Sequence, residues 1–147
     1  MPDQVSAVIV SFNTAPLLER AIQSLNRSRE LVDGLEIIVI DNASDDGSPQ
    51  LVRDRFPDVR LVRLTRNVGF AAGTNMGLRM ARGEQLLLLN PDAELLHDAL
   101  PRLSSFLDDH PWVAAVGPRL IYPDGSPQDS AFRFPSLRQV FLDFFPI

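Results

Sequence analysis

Short apolar runs alternate along the chain with stretches whose apolar positions recur at helical spacing. "VSAVIV" (5–10) and "LEIIVI" (35–40) are rich in β-branched residues and bounded by polar turns, which predicts two strands. "VRLVRL" (59–64) alternates less cleanly but fits a third, and "QLLLLN" (85–90) and "VAAVG" (113–117) complete five. The unbroken leucines of 86–89 predict a strand buried on both faces. Between the first two runs, Leu17, Leu18, Ala21, Ile22 and Leu25 share one helical face, with Thr14 placed as N-cap. "SPQLVRDRF" (48–56) predicts a short helix, and "GFAAGTNMGLRMA" (69–81) another, weakened by its glycines. Residues 98–109 predict one more, where Asp98 as cap would leave Pro101 tolerated in the first turn.

Strand starts 24 to 30 residues apart match the length of a strand–helix–strand unit. The pattern therefore predicts an α/β fold: a mainly parallel sheet of about five strands with helices on both faces. Sheets of this kind bind ligands at the carboxyl ends of their strands, where the connections diverge. After residue 117 the periodicity fades into "GPRLIYPDGSPQDSAFRFPS", a proline- and glycine-rich connection without assignable elements. The chain ends on the apolar run "FLDFFPI". An exposed run of this kind wants a covering layer, so the chain reads as the N-terminal part of a longer protein. A terminal segment that docks on a membrane or a partner is the alternative.

Composition narrows the chemistry. The 147 residues fit one domain, and the net charge of −5 argues against a nucleic-acid partner. Lysine is absent, so all fourteen cationic side chains are arginine and no mechanism can use a lysine. The absence of cysteine excludes disulfides, thiolate metal sites and a cysteine nucleophile. His97 and His110 lie thirteen apart among polar residues and read as surface groups. The N-terminus lacks the basic region of a signal peptide, and no apolar stretch is long enough to span a bilayer, which predicts a cytoplasmic protein.

Four successive strands run into polar loops: "SFN" (11–13), "DNASDDGS" (41–48), "TRNVGF" (65–70) and "NPDAE" (90–94). Each alone is an ordinary turn. Together they would bring Asp41, Asp45, Asp46, Arg66 and Asp92 to one edge of the sheet. An arginine fork binds phosphate oxygens, whereas a carboxylate beside it repels them unless a divalent cation lies between. Mg²⁺ or Mn²⁺ would suit, since each takes one or two carboxylates and fills the remaining positions with phosphate and water. Other phosphate schemes fail. The glycines of "GFAAGTNMG" follow neither the dinucleotide fingerprint nor the Walker loop, and they suit close helix-to-sheet packing as well as ligand approach. A phospho-receiver domain would need a lysine, and no G-x-S-x-G elbow occurs. Arg53, Arg55, Arg60 and Arg63 form a local basic run, read either as solvated faces or as contact with an anionic lipid surface.

"VIVSFN", "IIVIDNASDDGS", "RNVGFAAGTNMGLRMARGE" and "LLLLNPDAEL", in this order, resemble the N-terminal half of a family 2 glycosyltransferase. The rhamnosyltransferase-like subgroup is nearest, since "VGPRL", "DGSPQDS" and "RFPS" are also similar to its pieces. The resemblance spans about residues 5–136. It implies a GT-A-like fold in which residues 1–147 are the nucleotide-sugar-binding part, with about 1–117 as a Rossmann-like core and 118–147 as a connection toward an acceptor half. It implies that Ser11, Phe12, Asn13, Asp41, Asn42, Asp45 and Arg66 meet the nucleotide. Asn67, Gly69, Phe70, Gly73, Asn75 and Asn90 would approach the diphosphate and donor sugar. "NPD" stands where the family has its D-x-D motif, with Asn90 in place of the first acid. Asp92 is then the implied ligand of a Mg or Mn ion, and Glu94 a second candidate. The implied donor is UDP- or dTDP-linked, and the acceptor a saccharide or a lipid-linked saccharide at the inner face of the membrane. The family's general base belongs to the acceptor half and is expected beyond Ile147, so a donor-binding fragment without transfer is expected. A nucleotide-binding module without transferase chemistry, and an interaction domain using the "FLDFFPI" end, are the competing readings.

Overall fold

The computed structural model describes residues 5–32, 34–129 and Phe144. The chain divides into two compact units, Met1–Val116 and Gly117–Ile147. In the first, β1 (Val5–Ser11), α1 (Ala15–Ser28), β2 (Leu35–Asp41), α2 (Ser48–Arg55), β3 (Arg60–Arg63), α3 (Phe70–Met80), β4 (Gln85–Leu88) and α4 (Ala99–Asp109) follow in order. The strands form one parallel sheet in the order β3-β2-β1-β4. The chain lays down β2 and β3 to one side of β1, then crosses to place β4 on the other. That reversal makes the carboxyl ends of β1 and β4 the switch point at which a sheet of this type takes its ligand.

The two central strands are buried along their whole length, so their near-continuous β-branched runs face helices on both sides. On one face Ala7, Ile9, Ile37 and Val39 pack with Leu18, Ala21, Ile22 and Leu25 of α1, Val52 of α2 and Leu100 of α4. On the other, Val8, Val10, Ile38 and Ile40 meet Leu78 and Met80 of α3. The glycines of α3 make this second contact possible. A Cβ on Gly77 would lie 2.3 Å from Val8 Cγ1, and one on Gly73 would lie 2.9 Å from Val10 Cγ1.

Several sequence expectations are corrected. β4 is not buried on both faces: Leu86 and Leu88 are each 52% exposed. It is an edge strand among the described residues, and α3 covers β1 and β2 but not β4. Residues 113–117 form no strand. Residues 113–116 line an open cleft of about 690 Å³ together with Leu86, Leu87, Leu103 and Leu107, and they take no ladder hydrogen bond from β4. Thr14 and Asp98 do not cap their helices with their side chains. The Thr14 hydroxyl is bonded to that of Ser11 at 2.9 Å, and Asp98 pairs with Arg102 at 2.8 Å. Pro101 nonetheless falls in the first turn of α4, where its missing N–H leaves no gap in the ladder.

The basic run also disperses. Arg55 is engaged by Glu19 of α1. Arg60 donates to the Met80 carbonyl at 3.2 Å and lies 3.9 Å from the buried Glu36, at the amino end of β3. Arg63 sits at the opposite end of that strand, beside Asp41.

In the second unit, Tyr122–Gly125 turns the chain so that Ile121 and Pro127 bridge antiparallel. Gly125 takes φ +83, and the Ser126 hydroxyl and N–H bond the Asp124 carboxylate, which holds its pKa below the ordinary value. "RFPS" lies outside the described residues, as does "FLDFFPI" apart from Phe144, which is exposed. No described helix is long and apolar enough to cross a membrane.

Candidate functional site

The loops at the carboxyl ends of the strands are tied to one another by side chains rather than by backbone ladders. Asn42 continues β2 by donating its N–H to the Ser11 carbonyl at 2.8 Å. Its side-chain oxygen accepts the Val68 N–H at 2.9 Å, which fastens the loop after β3 to the loop after β2. Asn13 does the same toward β1: its N–H donates to Ser44 Oγ at 3.0 Å, and its side-chain oxygen accepts the Asp45 N–H at 3.0 Å. Asn13 takes φ +53, a left-handed conformation that asparagine tolerates better than other side chains; Ala43 takes φ +67 without that excuse.

Asp46 secures the ends of two helices. Its carboxylate accepts the Ala15 N–H that opens α1 at 2.8 Å, and the N–H and hydroxyl of Ser48, which opens α2, at 3.0 and 2.5 Å. Partial burial would raise its pKa. The Ser48 hydroxyl and the Ala15 and Ser48 amides outweigh that and hold it below the ordinary carboxylate value. Ser44 and Asp46 are thus the groups that build these loops, and residue-type reasoning passed over both as positioning groups. The one signal in the sequence was the density of short polar side chains in "DNASDDGS".

Asp41 lies at the centre of this arrangement, 1% exposed. Oδ2 accepts the Ser44 N–H at 3.2 Å and lies 4.0 Å from Arg63 Nε. Oδ1 is buried with no hydrogen-bond partner among the described residues. Phe12 and Phe70 are exposed on neighbouring loops, as are Arg66, Asn67 and Gly69. Asn67 accepts the Gly69 N–H at 2.8 Å, and Gly69 takes φ +83 to turn the chain into α3. Within α3, Asn75 is exposed, whereas Gly73 faces Val10 and Ile40, so packing on the sheet is enough to account for its missing side chain.

After β4 the chain makes a turn, with the Ala93 N–H bonded to the Asn90 carbonyl at 3.1 Å. Asn90 and Asp92 are exposed there, and Asp92 makes no hydrogen bond or ion pair among the described residues. Glu94 is turned away, drawn 3.4 Å from Arg20 and 4.0 Å from Arg27 on the flank of α1, and it does not join Asp92. No group of three His, Asp or Glu side chains converges on a metal position among the described residues. Asp92 is thus a lone exposed carboxylate on this turn.

A family model described as glycosyl transferase family 2 matches residues 6–144. The chain belongs to that family.

An N-acetylglucosaminyl-diphospho-decaprenol L-rhamnosyltransferase of Mycobacterium tuberculosis is 32% identical to this family 2 chain over 148 aligned residues, 93% of the chain and 48% of that protein. A GalNAc(5)-diNAcBac-PP-undecaprenol beta-1,3-glucosyltransferase of Campylobacter jejuni is 35% identical, over 68% of the chain and 33% of that protein. The mannosyltransferase PcManGT of Pyrobaculum calidifontis, solved with GDP-Man and Mn²⁺, superposes with a TM-score of 0.63 at 31% identity, over 75% of the chain and 35% of its own. Staphylococcus aureus TarS 1–349, solved with UDP-GlcNAc, gives 0.64 at 23% identity over 73% of the chain and 32% of its own, a likeness of fold. The parallel sheet and its helices are thus those of GT-A glycosyltransferases. The family 2 chain spans about half the length of its mycobacterial relative and about a third of the others named here.

Proposed function

We propose that this chain is the donor-binding part of an inverting glycosyltransferase that moves a sugar, rhamnose in our reading, from a UDP- or dTDP-linked donor to a saccharide or lipid-linked acceptor. The observation that carries the donor site is Asp41 Oδ1, a carboxylate oxygen withdrawn from water and left without a donor at the ligand-binding edge of the sheet. Such an oxygen is costly unless something pairs with it. The N3–H of a pyrimidine imide or a ribose hydroxyl supplies that donor. Phe12, exposed beside Ser11 and Asn13, offers an apolar face to the base, while Asn42 and Asp45 tie the neighbouring loops to one another.

Arg66 is exposed and without a partner among the described residues, so its fork can take the diphosphate oxygens. The exposed positions Asn67, Gly69, Phe70, Asn75 and Asn90 line the path from there toward the sugar. Asp92 would hold the Mg²⁺ or Mn²⁺, which when bound neutralises charge developing on the leaving diphosphate. Rhamnose and a polyprenyl-linked acceptor are supported by the name of the mycobacterial relative and, for the acceptor, by that of the Campylobacter enzyme. An acceptor of that kind would place the protein at the cytoplasmic membrane face.

One carboxylate cannot hold a divalent cation alone, so metal affinity should depend on nucleotide. Calorimetric titration with UDP and with dTDP, each with and without Mn²⁺, tests this. Binding of either nucleotide, strengthened by Mn²⁺, is expected, with no uptake of Mn²⁺ in its absence. Asp92→Ala should fold normally and lose the Mn²⁺-dependent gain. A folded chain that binds neither nucleotide would overturn the reading.

A further inference from the structure

Asp41 and Arg63 are register partners on adjacent parallel strands, so their side chains leave the same face of the sheet about 5 Å apart at the backbone. The Leu64 N–H donates to the Asp41 carbonyl at 2.9 Å and holds the end of β3 against β2 at this level. The two side chains nonetheless do not satisfy each other. Arg63 Nε lies 4.0 Å from Asp41 Oδ2, within ionic reach but beyond hydrogen-bond length. Oδ1 of Asp41 has no donor, and the guanidinium of Arg63, 52% exposed, has no other partner among the described residues. A buried acceptor without a donor and a half-exposed guanidinium thus stand side by side where the nucleoside is proposed to bind.

We infer that Arg63 is a specificity-determining residue of this pocket, supplying the donor half of an acceptor–donor pair that reads the edge of the base. The inference rests on the nucleoside reading of Asp41 given above. A uracil or thymine imide carries N3–H between two carbonyls, so N3–H donates to Asp41 Oδ1 while the C4 carbonyl, the one that cytosine replaces with an amino group, accepts from Arg63. Cytosine presents a bare N3 to the carboxylate and an amino group on one flank, so the pair meets lone pair against lone pair and donor against donor. Sites built to hydrogen-bond a particular edge reject the wrong one strongly, because their own buried polar groups are then left unpaired.

The test is calorimetric titration of wild type, Arg63→Gln and Arg63→Lys with uridine, UDP and CDP, each protein first shown to melt cooperatively. Wild type should prefer UDP to CDP by at least about tenfold. Arg63→Gln should weaken uridine and UDP by the same factor, about tenfold, and CDP far less, so the UDP/CDP preference shrinks. Arg63→Lys keeps the charge but loses the fork, and should not restore the preference. A loss confined to UDP, with uridine untouched, would make Arg63 a diphosphate contact and overturn the inference. So would an unchanged UDP/CDP ratio in Arg63→Gln, or full restoration by lysine. Wild type that binds neither UDP nor dTDP would instead refute the nucleoside reading on which this rests.

Discussion

At the scale of single residues, Asp41 separates stability from function. Its Oδ1 is desolvated and without a hydrogen-bond partner among the described residues, a cost that a bound donor would relieve. Asp41→Asn replaces a buried charge with a neutral amide while keeping an oxygen for the Ser44 N–H. It is expected to leave the thermal midpoint unchanged or slightly raised, and to weaken UDP by more than about tenfold. Matched melting curves and calorimetry check both halves; a large loss of stability would show that the carboxylate is structural. Asp46 behaves oppositely. Loss of its bonds to the first turns of α1 and α2 should cost about 1 kcal/mol, the usual worth of a helix cap. Because its folded pKa lies below the reference value of 3.8, the contribution is complete above that pH and disappears as pH falls through the lower folded value. Wild type should therefore be more stable than Asp46→Asn at neutral pH and should converge with it in acid. Asp41 was legible in the sequence because an acid directly after a buried run is conspicuous. Ser44, Asp46 and Arg63 were not, since a serine and an acid in a polar loop look like turn formers and an arginine on an edge strand looks like a solvated one.

At the scale of elements, the stripe of glycines in α3 shows how a weak helix former becomes obligatory. Gly73 and Gly77 let the helix backbone lie directly on Val8, Val10 and Ile40, where a methyl group at Gly77 would sit 2.3 Å from Val8 Cγ1. Alanine normally favours a helix by about 1 kcal/mol over glycine, but here the clash dominates. Gly77→Ala should destabilise by about 1–3 kcal/mol, as overpacking does, and Val8→Ala in the same protein should recover part of the loss. Urea unfolding of the two single variants and the double variant measures the coupling, and purely additive losses would contradict the packing account. The central strands were readable because burial on both faces leaves a continuous β-branched run. β4 misled for the same reason. "LLLL" has the composition of an interior strand, yet which side of a strand is covered depends on elements far away in the chain, and α3 stops short of it. The fifth strand failed on a related point, since an apolar run becomes a strand only where a neighbour offers a ladder.

At the scale of the whole molecule, the acids at the ligand edge can be assigned one by one. Asp46 holds two helix starts and Glu94 is drawn to arginines on α1, while in the proposed reading Asp41 would face the nucleoside and Asp92 would hold the metal. Asp45 lies at the surface of the nucleotide loop, its N–H tied to Asn13. In this assignment none of these five acids is given the proton of an attacking hydroxyl, and the chain spans about half the length of its mycobacterial relative. General-base catalysis contributes about 10²–10⁴-fold to such a step. The chain by itself is accordingly expected to bind UDP or dTDP with Mn²⁺ while transferring sugar at least about a hundredfold more slowly than a relative of full length acting on the same donor and acceptor. Product formation followed by chromatography, alongside nucleotide affinity measured on the same preparation, decides it. Binding with turnover near that of the full-length relative would mean that one of these acids, Asp45 before the others, serves as the base, and its replacement by asparagine should then abolish transfer without weakening the nucleotide.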